Sequence, residues 1–248
     1  MKKILLEFSE IYRSQTQLRN EMDEVIDCTT LTGTDCYCDP ETQKELMNRI
    51  YSCAFGAIHL MDSGNYHYMS RLFLEACQHR VSLVMMDHHT DMQPSALLPV
   101  LSCGSWLLDT LLEVSDVQEV FLIGPPQKAL EQIPCGQREK IFMISREELE
   151  AGAWKEKLMS FVPHFPVYYS IDKDILSPDV CQTNWDQGTM KLSELKEILR
   201  WFLEKYPIAG ADLCGEPQAQ GVREKEIVQS MQVNKEIIGL FSERDPVF

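Results

Sequence analysis

Apolar runs of strand length recur along the chain as FGAIHLM (55–61), VSLVMM (81–86), VQEVFLIG (117–124), KIFMIS (140–145), FPVYYSI (165–171) and PIAGADLC (207–214). Each is six to eight residues of mainly branched or aromatic side chains, the length and content of a buried strand. Between them the period changes to that of a helix in YHYMSRLFLEACQHR, GSWLLDTLLEVS, SREELEAGAWKEKLMSFV and KLSELKEILRWFLEKY. A final helix is expected from about Arg223 to Phe241. The tetrapeptide SREE carries a capping box, with Ser145 placed to cap and Glu148 three residues later placed to reach back. Strands separated by helices need crossover connections, so the pattern predicts a mostly parallel sheet covered on both faces. The expected fold is a three-layer, doubly wound α/β domain.

No linker rich in Gly, Pro or Ser interrupts this alternation, and no repeat or low-complexity tract is visible, so residues 1–248 read as one domain. Residues 1–50 are its least legible portion. The segment EVIDCTTLTGTDCYCDPETQ is polar and turn-rich, and is expected to wrap the sheet edge. A chain of 248 residues has enough material to bury roughly three quarters of its unfolded surface.

Charge narrows the partners. With 38 acidic against 23 basic residues, the formal charge of -15 repels nucleic acid and anionic membrane surfaces. It favours a cationic substrate at long range only weakly, because salt screens such fields within about 8 to 10 Å. The nine cysteines, Cys28, Cys36, Cys38, Cys53, Cys77, Cys103, Cys135, Cys181 and Cys214, are odd in number and scattered. The opening MKKILLEFSEIYR has an apolar run too short for a secretory leader, interrupted by Glu7 and Glu10. A reduced, cytoplasmic protein is the expectation. DCYCD holds Cys36 and Cys38, but no second pair follows at zinc-site spacing, so these read as ordinary thiols. No apolar run approaches the ~20 residues needed to span a bilayer.

Three stretches deliver acids and histidines just after strands, where ligands of open parallel sheets collect. MDSGNYHYMS follows the first run and brings His67 to a helix start. DHHTD follows VSLVMM, and in an extended backbone Asp87, His89 and Asp91 point one way while His88 and Thr90 point the other. SIDKDILSP places Asp172 and Asp174 two apart at the end of FPVYYSI. Asp-x-Asp after a strand is by itself an ordinary solvated turn, and His59, His79 and His164 fall beside no acids at a strand end. Together, four carboxylates and two imidazoles match two divalent ions, and mixed oxygen and nitrogen donors suit manganese. Metal explains why charged groups gather where a buried strand ends.

This pattern resembles the ureohydrolase family, which includes arginase, agmatinase and formiminoglutamase. The family's GGDHS-like, DAHxD and SxDxDxxDP motifs appear in order as GNYHY, DHHTD and SIDKDILSP, over roughly residues 55–217. The resemblance implies that His67, Asp87, His89, Asp91, Asp172 and Asp174 hold two Mn(2+) ions. Asp87 and Asp172 would bridge them, with His67 and Asp91 completing one site and His89 and Asp174 the other. It further implies hydrolysis of a linear C–N bond in a guanidino or amidino compound, by hydroxide formed from a shared water. Asp91 would hold the hydroxide's proton and pass it to the leaving nitrogen.

The chain departs from the family at several places. In LSCGSW, Cys103 stands where the family has a proton-shuttling histidine. In GADLCGEP, Gly215 stands where the family has a substrate-binding glutamate, with Glu216 one residue on; a bulge would bring Glu216 into the site. The arginase segment that clamps the amino acid end of the substrate has no counterpart in DMQPSALLP or LIGPPQK, which points away from free arginine and toward another small guanidino compound or an arginine within a peptide. His88 replaces the alanine of the second motif and Ser177 the last aspartate of the third. Two other readings stay open. One is a deacetylase-like deacylase with a single zinc on Asp87, His89 and Asp172; the other is a metal-binding homologue without turnover. The family often assembles as trimers or hexamers, so a homo-oligomer is a further expectation.

Overall fold

The computed structural model describes residues 1–94, 100–242 and 244–247. Ten strands occur among them: β1 (Lys2–Glu7), β2 (Glu24–Asp27), β3 (Tyr37–Cys38), β4 (Ala57–Leu60), β5 (Val81–Met86), β6 (Leu101–Ser102), β7 (Val117–Ile123), β8 (Ile141–Ile144), β9 (Val167–Asp172) and β10 (Ile208–Cys214). Eight form one sheet in the order β2-β1-β4-β10-β9-β5-β7-β8, and all its pairings are parallel. β3 and β6 make a separate antiparallel pair. The doubly wound α/β arrangement expected from the apolar runs is present, and all six of those runs contain a sheet strand.

A central parallel strand is buried on both faces, and its alternate side chains feed opposite layers. Tyr168 of β9 and Leu83 and Met85 of β5 join one core, together with Phe73 and Trp106. Tyr169 and Ile171 of β9 and Val84 and Met86 of β5 join the other, together with Trp154, Phe202 and Phe241. The helices Pro40–Ile50, Met69–Cys77 and Trp106–Glu113 supply the first layer. Trp154–Met159, Leu192–Leu203 and Glu224–Ser242 supply the second. In Leu192–Leu203 the inward stripe is Leu195, Ile198, Leu199 and Phe202, the i, i+3, i+4, i+7 spacing of an amphipathic helix. Each such buried side chain stabilises the fold by about 1.5–3 kcal/mol.

Two local expectations change. The N-terminal portion does not only wrap the sheet: Lys2–Glu7 and Glu24–Asp27 extend it by two parallel strands. The segment SREELEAGAWKEKLMSFV is two short helices, Arg146–Glu150 and Trp154–Met159, separated at Gly152, whose φ of +70° ends the first. Its capping box forms as the sequence predicts: Ser145 Oγ accepts from Glu148 N, and Glu148 Oε2 accepts from Ser145 N at 2.8 Å. Among the described residues, no helix is long and apolar enough to cross a membrane.

Candidate metal centre

β5 and β9 are neighbours in the middle of the sheet, so Asp87 and Asp172 emerge side by side at their carboxyl ends. Strand alternation carries both toward the layer that holds the helix Met69–Cys77, and His67 sits just ahead of that helix. Beyond Met86 the chain leaves the extended state, so the period-two placement of Asp87, His89 and Asp91 is replaced by a turn. Asp87 Oδ1 accepts from His89 N at 2.6 Å, and Asp91 takes a left-handed φ of 47°. In that conformation the Asp91 carbonyl accepts from Leu107 N, tying the turn to the start of the helix Trp106–Glu113. After β9 a single 3₁₀ turn, Lys173–Ile175, plays the same part, with Asp174 N donating to Asp172 Oδ1 at 2.9 Å.

The six predicted side chains converge. His67 Nδ1 lies 3.1 Å from Asp87 Oδ2, 3.0 Å from Asp91 Oδ2 and 3.7 Å from Asp172 Oδ2. His89 Nδ1 lies 2.8 Å from Asp174 Oδ2 and 3.5 Å from Asp87 Oδ1. Two donor sets result, His67–Asp87–Asp91 and Asp87–His89–Asp174, each with its ligand atoms within 4.8 Å of one another. Asp87 belongs to both. A third set joins His67 and Asp172 with Cys214, whose thiol donates to Asp172 Oδ2 at 3.1 Å.

Electrostatics show what the cluster lacks. Burial and the neighbouring Asp87 push Asp91 up to about 6, and the same two causes raise Asp172. Asp174 is raised further by burial, Asp172 and Asp87. Burial also opposes a charge on Asp87, but His67 and His89 outweigh it and hold that carboxyl below its ordinary range. Both imidazoles are correspondingly raised against their own burial, His89 by Asp174 and Asp87, and His67 by Cys214, Asp87 and Asp91. Four carboxylates this close cannot all ionise without cations. Asp87 Oδ2, moreover, is buried and makes no well-formed hydrogen bond, with His67 Nδ1 3.1 Å away. A divalent ion held through oxygen and imidazole nitrogen would meet both deficits.

Outer partners orient the donors, as is usual around bound metals. His67 Nε2 faces Ser170 Oγ at 2.9 Å, Trp106 Nε1 donates to Asp91 Oδ2 at 2.6 Å, and His89 Nε2 faces Asp186 Oδ1 at 3.1 Å. Ser170 lies inside the SIDKD motif, but nothing in sequence spacing points to Trp106 or Asp186. His88 belongs to none of the donor sets; it is buried, lines the same cavity, and has its Nε2 3.7 Å from Asp186 Oδ2. A cavity of about 640 Å³ opens over the cluster, walled by Cys36, Tyr37, Gln93, Cys103, Gln132 and Trp185 among others.

Glu216 is not in that cavity, which corrects the bulge expected from GADLCGEP. Its carboxylate is fully buried and accepts from Lys173 Nζ at 2.5 Å, Gln15 Nε2 at 2.6 Å, Asn234 Nδ2 at 2.6 Å and Ser230 Oγ at 2.8 Å. Gly215 explains the placement: at φ +91°, a Cβ there would lie 2.5 Å from Asp172 Oδ1 and 2.8 Å from Lys173 N. The metal-side carboxylate fills the space a glutamate would need, and the next residue turns to the far side with Lys173. Cys103 does line the cavity. The neighbouring Cys36 thiol, and then burial, push its own thiol well above the ordinary range, which makes it a poor proton carrier at neutral pH. Of the stretch lacking an amino acid clamp, Ser95–Pro99 lies outside the described residues.

No protein-family model matches the chain. An uncharacterised protein of Thermotoga maritima is 28% identical over 213 residues, covering 86% of this chain and 79% of its own. Among solved structures, proclavaminate amidino hydrolase from Streptomyces clavuligerus superposes with a TM-score of 0.73 at 15% identity, covering 97% of this chain and 92% of its own. The agmatine ureohydrolase of Thermoplasma volcanium gives 0.72 at 12% identity, covering 98% and 90%. With identities this low the likeness is one of architecture, and the chain has the arginase-like fold that these ureohydrolases share.

Proposed function

We propose that this protein is a divergent ureohydrolase, a hydrolase with two manganese ions that cleaves a linear C–N bond in a guanidino or amidino compound. The observation that carries this reading is the sharing of Asp87 between the donor sets His67–Asp87–Asp91 and Asp87–His89–Asp174. One carboxylate common to two sets favours a pair of ions over the single zinc of a deacylase. Two such ions supply a water acidified to near neutrality as nucleophile. Asp87, common to both donor sets, would help to hold each ion, and Asp172, with its Oδ2 3.7 Å from His67 Nδ1, would hold one of them. Asp91 would be the proton carrier, with Trp106 Nε1 donating to its Oδ2 and His67 Nδ1 3.0 Å from the same oxygen.

The pocket wall supports a cationic substrate. No Lys or Arg lines the cavity among the described residues, and the stretch SALLP at 95–99 contains none. A free carboxylate on the substrate therefore meets no counter-charge there. Asp186, the one lining carboxylate outside the donor sets, offers negative charge at the mouth. Small guanidino compounds without an amino acid end, or an arginine side chain within a peptide, fit this wall better than free arginine.

Metal analysis and a product assay test the reading together. Two manganese per chain, with urea or amine release from at least one guanidino compound, is the expected result. One tightly held zinc would point to the deacylase. Full manganese loading with no turnover across a guanidino panel would leave a binding protein. Asp172→Ala is expected to lose at least one ion, and unchanged metal content in that variant would refute the assigned centre.

A further inference from the structure

Cys36 and Cys103 meet across the antiparallel pair of β3 and β6. The register Cys38↔Leu101 and Tyr37↔Ser102 continues one step further, where Cys103 N donates to Cys36 O at 2.9 Å. With standard backbone lengths that one bond keeps the two Cα atoms within about 6.8 Å, the reach of a disulfide, which spans roughly 4.4–6.8 Å. The two free thiols also act on each other: Cys103 holds Cys36 below the ordinary thiol range, while Cys36 and then burial push Cys103 up. Both are half-buried and both line the cavity above the metal donors. Cys28, Cys38, Cys53, Cys77, Cys181 and Cys214 are buried, and the exposed Cys135 lies away from the cavity. Cys36 has a left-handed φ of 61°, so the backbone is held in a costly conformation where the pair forms.

We infer that Cys36 and Cys103 are a reactive dithiol in the wall of the metal pocket, a site for low-molecular-weight disulfides of the glutathione type. The Cys36 thiolate attacks one sulfur of the small disulfide, forming a mixed disulfide and releasing one small thiol. Cys103 then gives its proton to solvent and attacks the Cys36 sulfur, forming the Cys36–Cys103 bond and releasing the second small thiol. Two protein thiols are oxidised and one small disulfide is reduced to two thiols, so atoms and electrons balance. The division of labour follows from access: Cys36, between the exposed Asp35 and Tyr37, is the attacking sulfur, and Cys103, beside the buried Ser102, resolves. The product ties the β3 turn to β6 at the pocket. Next to it, Asp35 accepts from Asn65, the neighbour of Gly64, which packs against Asp172. Oxidation is thereby linked to the same loop that borders the metal donors.

The experiment is exposure of the full-length protein to oxidised glutathione at neutral pH, followed by non-reducing digestion and mass spectrometry. The expected product is a cross-link between the peptides of Cys36 and Cys103, with no glutathione retained on either. In Cys103→Ser, Cys36 should instead keep glutathione as a stable mixed disulfide. In Cys36→Ser, Cys103 should stay reduced over the same exposure. Phenylarsine oxide, which bridges paired thiols, should bind the wild type and fail to bind either serine variant. Glutathione found on Cys135 alone, or on Cys36 and Cys103 without ring closure, would overturn the inference. None of these readings depends on turnover, so they stand or fall apart from the hydrolase assignment.

Discussion

His89 depends on a carboxylate 97 residues away in the chain. Its Nδ1 faces Asp174 and Asp87, and Asp186 receives the opposite nitrogen, which fixes ring orientation and tautomer. Asp186→Ala should weaken metal binding by about 10–100-fold in calorimetric titration. Asp186→Asn should lose less, because its amide oxygen still accepts; equal affinity in wild type and alanine variant would rule the role out. His59 shows the opposite use of an imidazole. It is stacked on Phe73 at 4.0 Å inside the core, where burial pushes it down to about 4. Above its unfolded value near 6.5 both states are neutral; below that the unfolded chain takes up a proton the fold resists. Stability should thus fall as pH drops from 6.5 toward 4, by about 3 kcal/mol from this residue. His59→Asn should flatten that part of the pH–stability curve measured by denaturant unfolding. The donors themselves were legible because each follows an apolar run; Asp186 was not, since a lone acid in QTNWDQG has no spacing that distinguishes it from a solvated turn.

Elements were read best where their signals are local. The capping box at Ser145 and Glu148 needs only four consecutive residues, and it forms. Ser145→Ala should cost about 1 kcal/mol, read as a shift in denaturant midpoint with an unchanged slope. The sheet strands from 57 onward share this clarity, because fully buried parallel strands are continuous apolar runs. β1 and β2 are harder to see: KKILLE mixes two lysines and a glutamate with three apolar residues, and EVID is half acidic. They are strands because β4 and β1 offer an edge to pair with, a condition no local window contains. Likewise the helical period across 145–162 continues through Gly152, and only the backbone conformation there reveals the break.

Across the whole molecule, the buried group of Lys173, Glu216, Gln15, Ser230 and Asn234 joins the N-terminal segment, two strand ends and the last long helix. Removing one partner of such an ion pair leaves the other charged and unpaired. Glu216→Ala should destabilise the fold by about 3–5 kcal/mol in denaturant unfolding, with substrate affinity of the folded fraction unchanged. A variant of normal stability and raised KM would restore the substrate role read from GADLCGEP. The alternation of apolar runs with helix-period segments by itself determined the layered parallel sheet and the strand ends at which acids and histidines emerge. Those features depend on backbone periodicity, which every short window of sequence contains. Tertiary structure alone decided that Glu216 faces Lys173, that Asp186 braces His89, and that Cys36 meets Cys103. Such pairings join residues far apart in the chain, and only the packing of the sheet and its two layers brings their side chains within hydrogen-bond reach.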